Sequence, residues 1–473
     1  MDIAVAKTLT EFETALDYIP EESFNLHALE NQFSLWLMAR GEIQLAKTFN
    51  PIKTSDFETF EDCKAFFIET IRYYRNEKKK GQILVFDENS ILDEKNIVSF
   101  SGGSLGGKGR GLAFINTLIY NLNFSEVSDK INIRTPITAI IGTDEFESFI
   151  KRNKLIDVIS NPIISYSEIK KAFINARLSD SLTEKLELFI DRIKKPIAVR
   201  SSSLSEDSFT KPFAGVFDTY IIPYECFNKK ISLKRLAEAI KLVYASIYSD
   251  SARSYFKAIN HKAEEEKMAV ILQELVGNQY DNYYYPHISG IAQSFNYYPV
   301  AHMKPDEGFA VAAVGLGSYV VDGWKSYRFS PKYPTIEMYT TKDLLNSSQV
   351  KFYAVDCAKK DIDFIKDGEL AALSLLNISE AEKHGTIKHC ASVYNYENDR
   401  VEIGLSSNGP RIINFTEILK HNYIPFAETI NLMLNTVKEA LGSPAEIEFA
   451  IDLTPTENNL PSLTSPFPKL ASV

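Results

Sequence analysis

The chain has 473 residues, 45% hydrophobic and 24% charged, which is a globular composition with room for about two to four domains. Its net charge of −10 at pH 7 argues against a general nucleic-acid binder, which needs Lys and Arg facing phosphate, while leaving local basic pockets open. No apolar run approaches the roughly 18 to 20 residues that span a bilayer, and the start MDIAVAKTLTEFETALDYIP lacks a secretory pattern, so a cytoplasmic protein without membrane or nucleic-acid partners is expected.

Residues 9 to 80 read as helical, with apolar residues three and four apart. EFETALDYI predicts one helix, HALENQFSLWLMARGEIQLAKTF (27–49) a second, and DFETFEDCKAFFIETIRYYRNEKKK a third. Thr54-Ser55-Asp56 offers the last one a capping start. Lys78, Lys79 and Lys80 close it, complementing the helix dipole or, on the other reading, forming an anion site. Cys63, Cys226, Cys357 and Cys390 are scattered without a C-x-x-C pair, which predicts reduced thiols. QILVF (82–86) reads as a short strand and DENSILDEKN as a polar linker.

From Gly102 to Gly109 the chain reads GGSLGGKG, which is G-x-x-x-x-G-K followed by Gly109 where a P-loop places the Ser or Thr that holds Mg²⁺. Gly102, Gly103, Gly106, Gly107, Gly109 and Gly111 crowd around Lys108 and Arg110, ahead of a predicted helix GLAFINTLIYNL. Glycine lets backbone N–H groups approach an anion, and the helix N-terminus adds its dipole. The alternative is a flexible turn.

Beyond it, strand-like runs (INIRTPITAIIG, PIAVRSS, DTYIIP, MAVILQELV, GFAVAAVGLG, EIEFAID) alternate with helical ones such as TDEFESFIKRNKL, LTEKLELFIDRIKK and AETINLMLNTVKEALG. Together they predict a mixed α/β or α+β body. Arg200, at the end of an apolar strand, can fork two donors onto phosphate oxygens. Ser201, Ser202 and Ser203 read equally as phosphate donors or turn residues, and Glu206 and Asp207 as solvated charges. His384 and His389 in EKHGTIKHC are expected to be exposed or satisfied rather than a metal or nucleophile site. In PAEIEFAID, Glu446, Glu448, Ala450 and Asp452 share one strand face, opposite Ile447, Phe449 and Ile451. Two carboxylates about 7 Å apart on that face can share divalent cations that bridge nucleotide phosphates, or can simply face water.

In this order the segments resemble the nucleotide-binding domain of the phosphoenolpyruvate synthase and pyruvate phosphate dikinase family. The resemblance rests on Gly106-Gly107-Lys108-Gly109 with Leu112, and on Val199-Arg200-Ser201-Ser202 with Glu206-Asp207. It continues through Phe213-Ala214-Gly215 with Thr219-Tyr220, VILQELV ending at Val276, and Ser289-Gly290-Ile291-Ala292. Gly315-Leu316-Gly317 with Val320, Val321 and Gly323, then Glu446-Ile447-Glu448-Phe449, complete it.

The resemblance implies an α+β fold, with an ATP-grasp-type nucleotide-binding domain over 82–454 preceded by a helical region over 1–81. It implies ATP and Mg²⁺ as cofactors. Lys108 would bind the ATP phosphates and Arg200 would stabilise charge on the transferred group, both as catalytic residues, with Gly106 and Gly107 in the cradle. Thr219 would touch nucleotide; Gln273, Glu274 and Val276 would form the hinge around adenine and ribose; Glu446 and Glu448 would bind metal. Asp452 has no family counterpart and is expected in solvent. The implied function is Mg-ATP-dependent phosphoryl transfer to a histidine on a separate domain, on the route from pyruvate to phosphoenolpyruvate.

Two departures stand out. No histidine lies in a T-x-H-x-x-I context, so a phosphohistidine-bearing domain is expected in trans or missing from this chain. The family's next strand, L-L-Q-x-R-P, is absent: the chain continues DLTPTENNLPSLTSPFPKLASV. Its Ser, Pro and Leu content predicts a disordered tail over 455–473, explained by early termination or by a stand-alone form. That loss motivates an alternative, a catalytically inactive fragment or a regulatory or interaction protein with a vestigial nucleotide domain. A true P-loop NTPase is a third reading, which Gly109 disfavours.

Overall fold

A computed structural model describes residues 5–86, 92–121, 131–161, 163–204, 215–224, 228–300, 302–454 and 462–470. It divides into two compact units, Met1–Lys80 and Gly81–Val473.

The first unit is made of helices α1 (Leu9–Tyr18), α2 (Glu21–Leu29), α3 (Gln32–Ala39), α4 (Ile43–Phe49) and α5 (Phe60–Lys79). The single helix predicted over 27–49 is therefore corrected to parts of three. The breaks fall beside Asn31 and Gly41, whose φ of 54° and 78° is cheapest for a short polar side chain or none. The predicted cap of α5 is also displaced. Thr59 Oγ accepts from the Asp62 N–H at 3.1 Å, and Thr54–Asp56 forms a separate 3₁₀ turn. Lys78 pairs with Glu42 and so serves packing within this unit. The core is aromatic: Phe12, Phe24, Phe33, Phe49 and Phe67 are buried, with Phe24 edge-on to Phe67 at 5.3 Å.

The second unit opens with β1 (Ile83–Val85), β2 (Ile97–Ser99), α6 (Gly106–Asn121), β3 (Asn132–Arg134) and β4 (Thr138–Ile141). Helices α7 (Thr143–Arg152), α8 (Tyr166–Asn175) and α9 (Asp180–Arg192) follow, then β5 (Ile197–Ser203), β6 (Thr219–Ile222), α10 (Lys229–Ser246) and β7 (Met268–Glu274). The first sheet has the order β1-β2-β4-β7-β5-β6, parallel as far as β4 and antiparallel beyond it. One face of β5 and β7, with Val199, Val270 and Leu272, shares a core with Phe149, Phe173, Phe189 and Leu236 of α7 to α10. On the other face Ala269 and Ile271 meet Ile140 and Leu112 of α6. Burial on both faces explains why MAVIL is apolar without alternation.

The remaining elements include β8 (Ile288–Gln293), β9 (Phe309–Ala313), β10 (Tyr327–Phe329), β11 (Lys351–Asp356), α11 (Phe426–Leu441), β12 (Ala445–Asp452) and β13 (Ser462–Leu470). A second six-stranded sheet runs β10-β9-β8-β12-β13-β3. The predicted strand INIRTPITAIIG is thus two strands in two sheets, with β3 in the second and β4 in the first, separated at Pro136. Helix α6 lies between the sheets: Leu112 packs on the first, while Ile115 and Ile119 share a core with Ile288, Ile447 and Phe426. β11 belongs to a separate four-stranded sheet with Leu373–Asn377 and the hairpin at 278–285. The chain is a mixed helix-and-sheet protein of the α+β type.

The expectation of a disordered tail is corrected where the structure describes it. Ser462–Leu470 pairs antiparallel with β12 throughout and parallel with β3 at Ser462–Thr464. The register against β12 shifts by one residue between Glu448 and Ala450, so the strand carries a bulge beside Pro466. Pro466 and Pro468 lie beyond the stretch that β3 covers, where a missing N–H on that edge breaks no ladder. Composition alone hid a strand that tolerates proline at those positions. Among the described residues, no helix is long and apolar enough to cross a membrane.

Candidate functional site

Only the first part of the glycine-rich segment, Gly102 to Leu105, is a loop that precedes a helix. Gly106, Gly107, Lys108 and Gly109 are themselves the first turn of α6, which corrects the predicted helix start. Strand β5 sets that start: Ser202 Oγ accepts from the Gly109 N–H at 2.9 Å and donates to the Leu105 carbonyl at 2.7 Å. The Gly106 N–H donates to Ser104 Oγ at 3.2 Å. Ser201, Ser202 and Ser203 are buried strand residues, not turn residues. Lys108 is only 7% exposed, and its ammonium lies 3.4 Å from Ser201 Oγ. Glu206, Asp207, Phe213 and Ala214 lie outside the described residues.

Arg200, beside Ser201 on β5, reaches across to the second sheet. Its Nη2 donates to Glu448 Oε2 on β12 at 3.2 Å, in a pair whose side chains are both largely buried. Two places earlier on the same face, Glu446 accepts from the Gln293 side chain, which stands opposite it in register on β8. The predicted alternation is present: Ile447, Phe449 and Ile451 are buried and the two glutamates less so. Asp452, expected in solvent, instead accepts from Asn278 Nδ2 at 2.6 Å and pairs with His287 Nδ1 at 3.1 Å. The strand end is covered by the hairpin, which converts a solvated position into a packed polar one.

Among the described residues, no three His, Cys, Asp or Glu side chains converge as a metal site. Glu446 and Glu448 nonetheless fit Mg²⁺ chemically. That ion takes one or two carboxylates and leaves its other positions to water and substrate phosphates, so a two-acid strand face is a suitable donor set.

At the other end of the first sheet, Gln273 is buried and donates to Thr138 Oγ at 3.3 Å, and Glu274 pairs with Lys195 at 2.9 Å. Glu274 and Val276 border a cavity of about 300 Å³ that also touches Glu94, Arg134, Pro136 and Lys195. The predicted residues fall into two groups. Lys108 lies against Ser201, next to Arg200 in β5, and Arg200 meets Glu448 across the sheets with Glu446 two places along β12, whereas Gln273, Glu274 and Val276 stand at the end of β7.

Thr219 joins the first group through an acid that the sequence did not single out. Its backbone N–H donates to the carboxylate of Glu369, 150 positions along the chain. Loss of surrounding water, with Asp218 and Asp322 nearby, pushes the Glu369 carboxyl up to about 7, although the Thr219 N–H and Lys108 pull the other way. The residue as a whole is solvent-exposed, so the carboxyl has lost only part of its water. No local pattern marks Glu369, because its partner is a main-chain group brought by the fold. His384 and His389 are satisfied separately, the first at 2.7 Å from the Tyr285 hydroxyl and the second stacked on Tyr423 at 3.8 Å.

The sequence model of the family described as pyruvate phosphate dikinase, AMP/ATP-binding domain, matches residues 103–462. An uncharacterized phosphotransferase of Bacillus subtilis (strain 168), YvkC, is 30% identical over 197 residues, 41% of this chain and 21% of its own length. A phosphoenolpyruvate synthase of Aeropyrum pernix is 24% identical over 326 residues, 66% of this chain and 33% of its own. A rifampicin phosphotransferase of Streptomyces sviceus is 24% identical over 254 residues, 50% of this chain and 25% of its own. The matched stretches thus amount to between 21% and 33% of these relatives' lengths.

Proposed function

The chain belongs to the family of the pyruvate phosphate dikinase AMP/ATP-binding domain, and from that premise we propose that residues 82–454 are an ATP-grasp-type phosphotransferase module. Mg-ATP binds between the two six-stranded sheets. Lys108 and the first turn of α6 take the phosphates, Arg200 steadies the transferred group, and Thr219 meets the nucleotide. The base lies toward Gln273, Glu274 and Val276. Glu446 and Glu448 hold Mg²⁺, whose part is to neutralise charge shared between the phosphates. The acceptor is a histidine of a further domain, and the route is that from pyruvate to phosphoenolpyruvate. The names of the related phosphotransferases and the phosphoenolpyruvate synthase support the reaction class.

The observation that carries this reading is the ion pair between Arg200 and Glu448 across the two sheets. A guanidinium from one sheet meets a carboxylate from the other, and a buried ammonium in the first turn of α6 approaches Ser201, the next residue of the same strand. Phosphoryl transfer asks little covalent chemistry of a protein and much positioning and charge stabilisation. In that setting Arg200 exchanges a carboxylate for phosphate oxygens, and Glu448 is left to a cation, so neither charge is stranded.

Titration calorimetry of Mg-ATP into the 473-residue chain tests this. Binding of one nucleotide per chain is expected, weakened by chelation of Mg²⁺ and weakened about tenfold in Arg200→Ala, the worth of one charge-assisted hydrogen bond. An unmutated chain that takes up no ATP would overturn the proposal.

A further inference from the structure

Between β11 and the strand Leu373–Asn377 the chain leaves its own sheet and crosses to the first one. Phe364 and Ala371 are buried in the first sheet's core, and the Phe364 ring stands edge-on to Tyr220 of β6 at 5.3 Å. Two cations tie down the intervening backbone: Lys170 of α8 donates to the Ile365 carbonyl at 3.1 Å, and Arg235 of α10 to the Lys360 carbonyl at 2.6 Å. The segment is a fixed strap, and it delivers the Glu369 carboxylate to the backbone N–H of Thr219.

Several charged and titratable groups face that carboxylate. Asp218, Tyr166 and Tyr220 lie on the side of β6 and α8, with Lys170 beyond Asp218. Lys108 comes from α6, and Asp322 from the end of the short helix Ser318–Val321. A carboxylate that accepts from a strand N–H beside a buried ammonium uses the same donors that a phosphate oxygen would seek. We propose that Glu369 is a built-in anion of the nucleotide site, which competes with ATP phosphates for the Thr219 N–H and for the field of Lys108. This rests on the reading of the cleft as a nucleotide site.

The competition depends on pH. Partial loss of water, with Asp218 and Asp322 nearby, pushes the Glu369 carboxyl up to about 7. Above that pH it is charged and opposes a triphosphate; below it the charge is gone. Through this group alone, ATP binding tightens as pH falls from 8 to 6.

The test is calorimetry of Mg-ATP into the unmutated chain, Glu369→Gln and Lys108→Ala at pH 8 and pH 6. Titration of the nucleotide's own phosphate is common to all three, so the comparison between variants isolates Glu369. Glu369→Gln is expected to bind ATP about five- to tenfold tighter than the unmutated chain at pH 8, the size of one repulsive charge at a half-solvated site, and equally at pH 6. Glu369→Ala, which also removes the acceptor for Thr219, is expected to behave the same way. Equal or weaker binding by both variants at pH 8 would overturn the inference. If the unmutated chain binds but Lys108→Ala does not, that result concerns only the nucleotide reading and upholds it; a chain that fails to bind at either pH removes both.

Discussion

Lys108→Ala is expected to weaken Mg-ATP binding by about a hundredfold while lowering the thermal midpoint by no more than a few degrees. The two halves of that result have one origin. The ammonium is 7% exposed, so it has lost most of its water. It stands in the first turn of α6, where the helix dipole favours an anion and opposes a cation. Its contact in strand β5 is a neutral hydroxyl, Ser201, and the Glu369 carboxylate lies within its field. What the position offers is a cation ready for phosphate. Losing about two charge-assisted hydrogen bonds corresponds to roughly 2.7 kcal/mol, or the stated hundredfold. Calorimetry for affinity and scanning calorimetry for the midpoint read the two effects separately. Retained affinity would remove Lys108 from the site, and a midpoint lowered by many degrees would make it a structural lysine.

The sequence already disclosed what short-range pattern controls. The two-residue period of PAEIEFAID put Glu446 and Glu448 on one face, and β12 keeps that arrangement because both faces are set by the pleat. The glycine cluster marked the neighbourhood of the α6 start, and ordered motifs announced the family. Long-range partners were illegible. Arg200 pairs with Glu448, 248 positions away, and Thr219 with Glu369, 150 away, and neither acid differs locally from a solvated one. Element ends were also poorly readable. Gly107 and Gly109 are weak helix formers and Gly106 has φ of +72°, so the helix start is set by Ser202 from β5, not by propensity. Ser462–Leu470 shows the same effect in reverse: a proline-bearing segment becomes a strand because β12 offers a partner and leaves room for a bulge.

Gly106→Ala is expected to cost about 3 to 5 kcal/mol of stability and to abolish nucleotide binding in what remains folded. The residue has φ of +72°, where any side chain is strained. A Cβ there would stand 2.0 Å from the Ser202 carbonyl oxygen and 2.3 Å from its Oγ. The carbonyl belongs to the backbone of β5 where Ser202 pairs with Ala269 of β7, so it cannot rotate aside as a flexible side chain would. Either α6 or β5 must shift, and Ser202 then loses its bonds to Gly109 and Leu105. Lys108 is two residues from the clash and Arg200 two residues from Ser202, so the same displacement moves both cations of the site. Gly109→Ala is the control. Its Cβ would meet Leu105 Cβ at 2.9 Å, which moves only with the Leu105 backbone, and Ile140 Cδ1 at 3.4 Å, which can turn aside, so its cost is about 2 kcal/mol. Urea unfolding and ATP titration of the two variants measure the contrast. If Gly106→Ala is no less stable than Gly109→Ala, the contact with Ser202 does not define where the helix begins, and the cradle is held by something else.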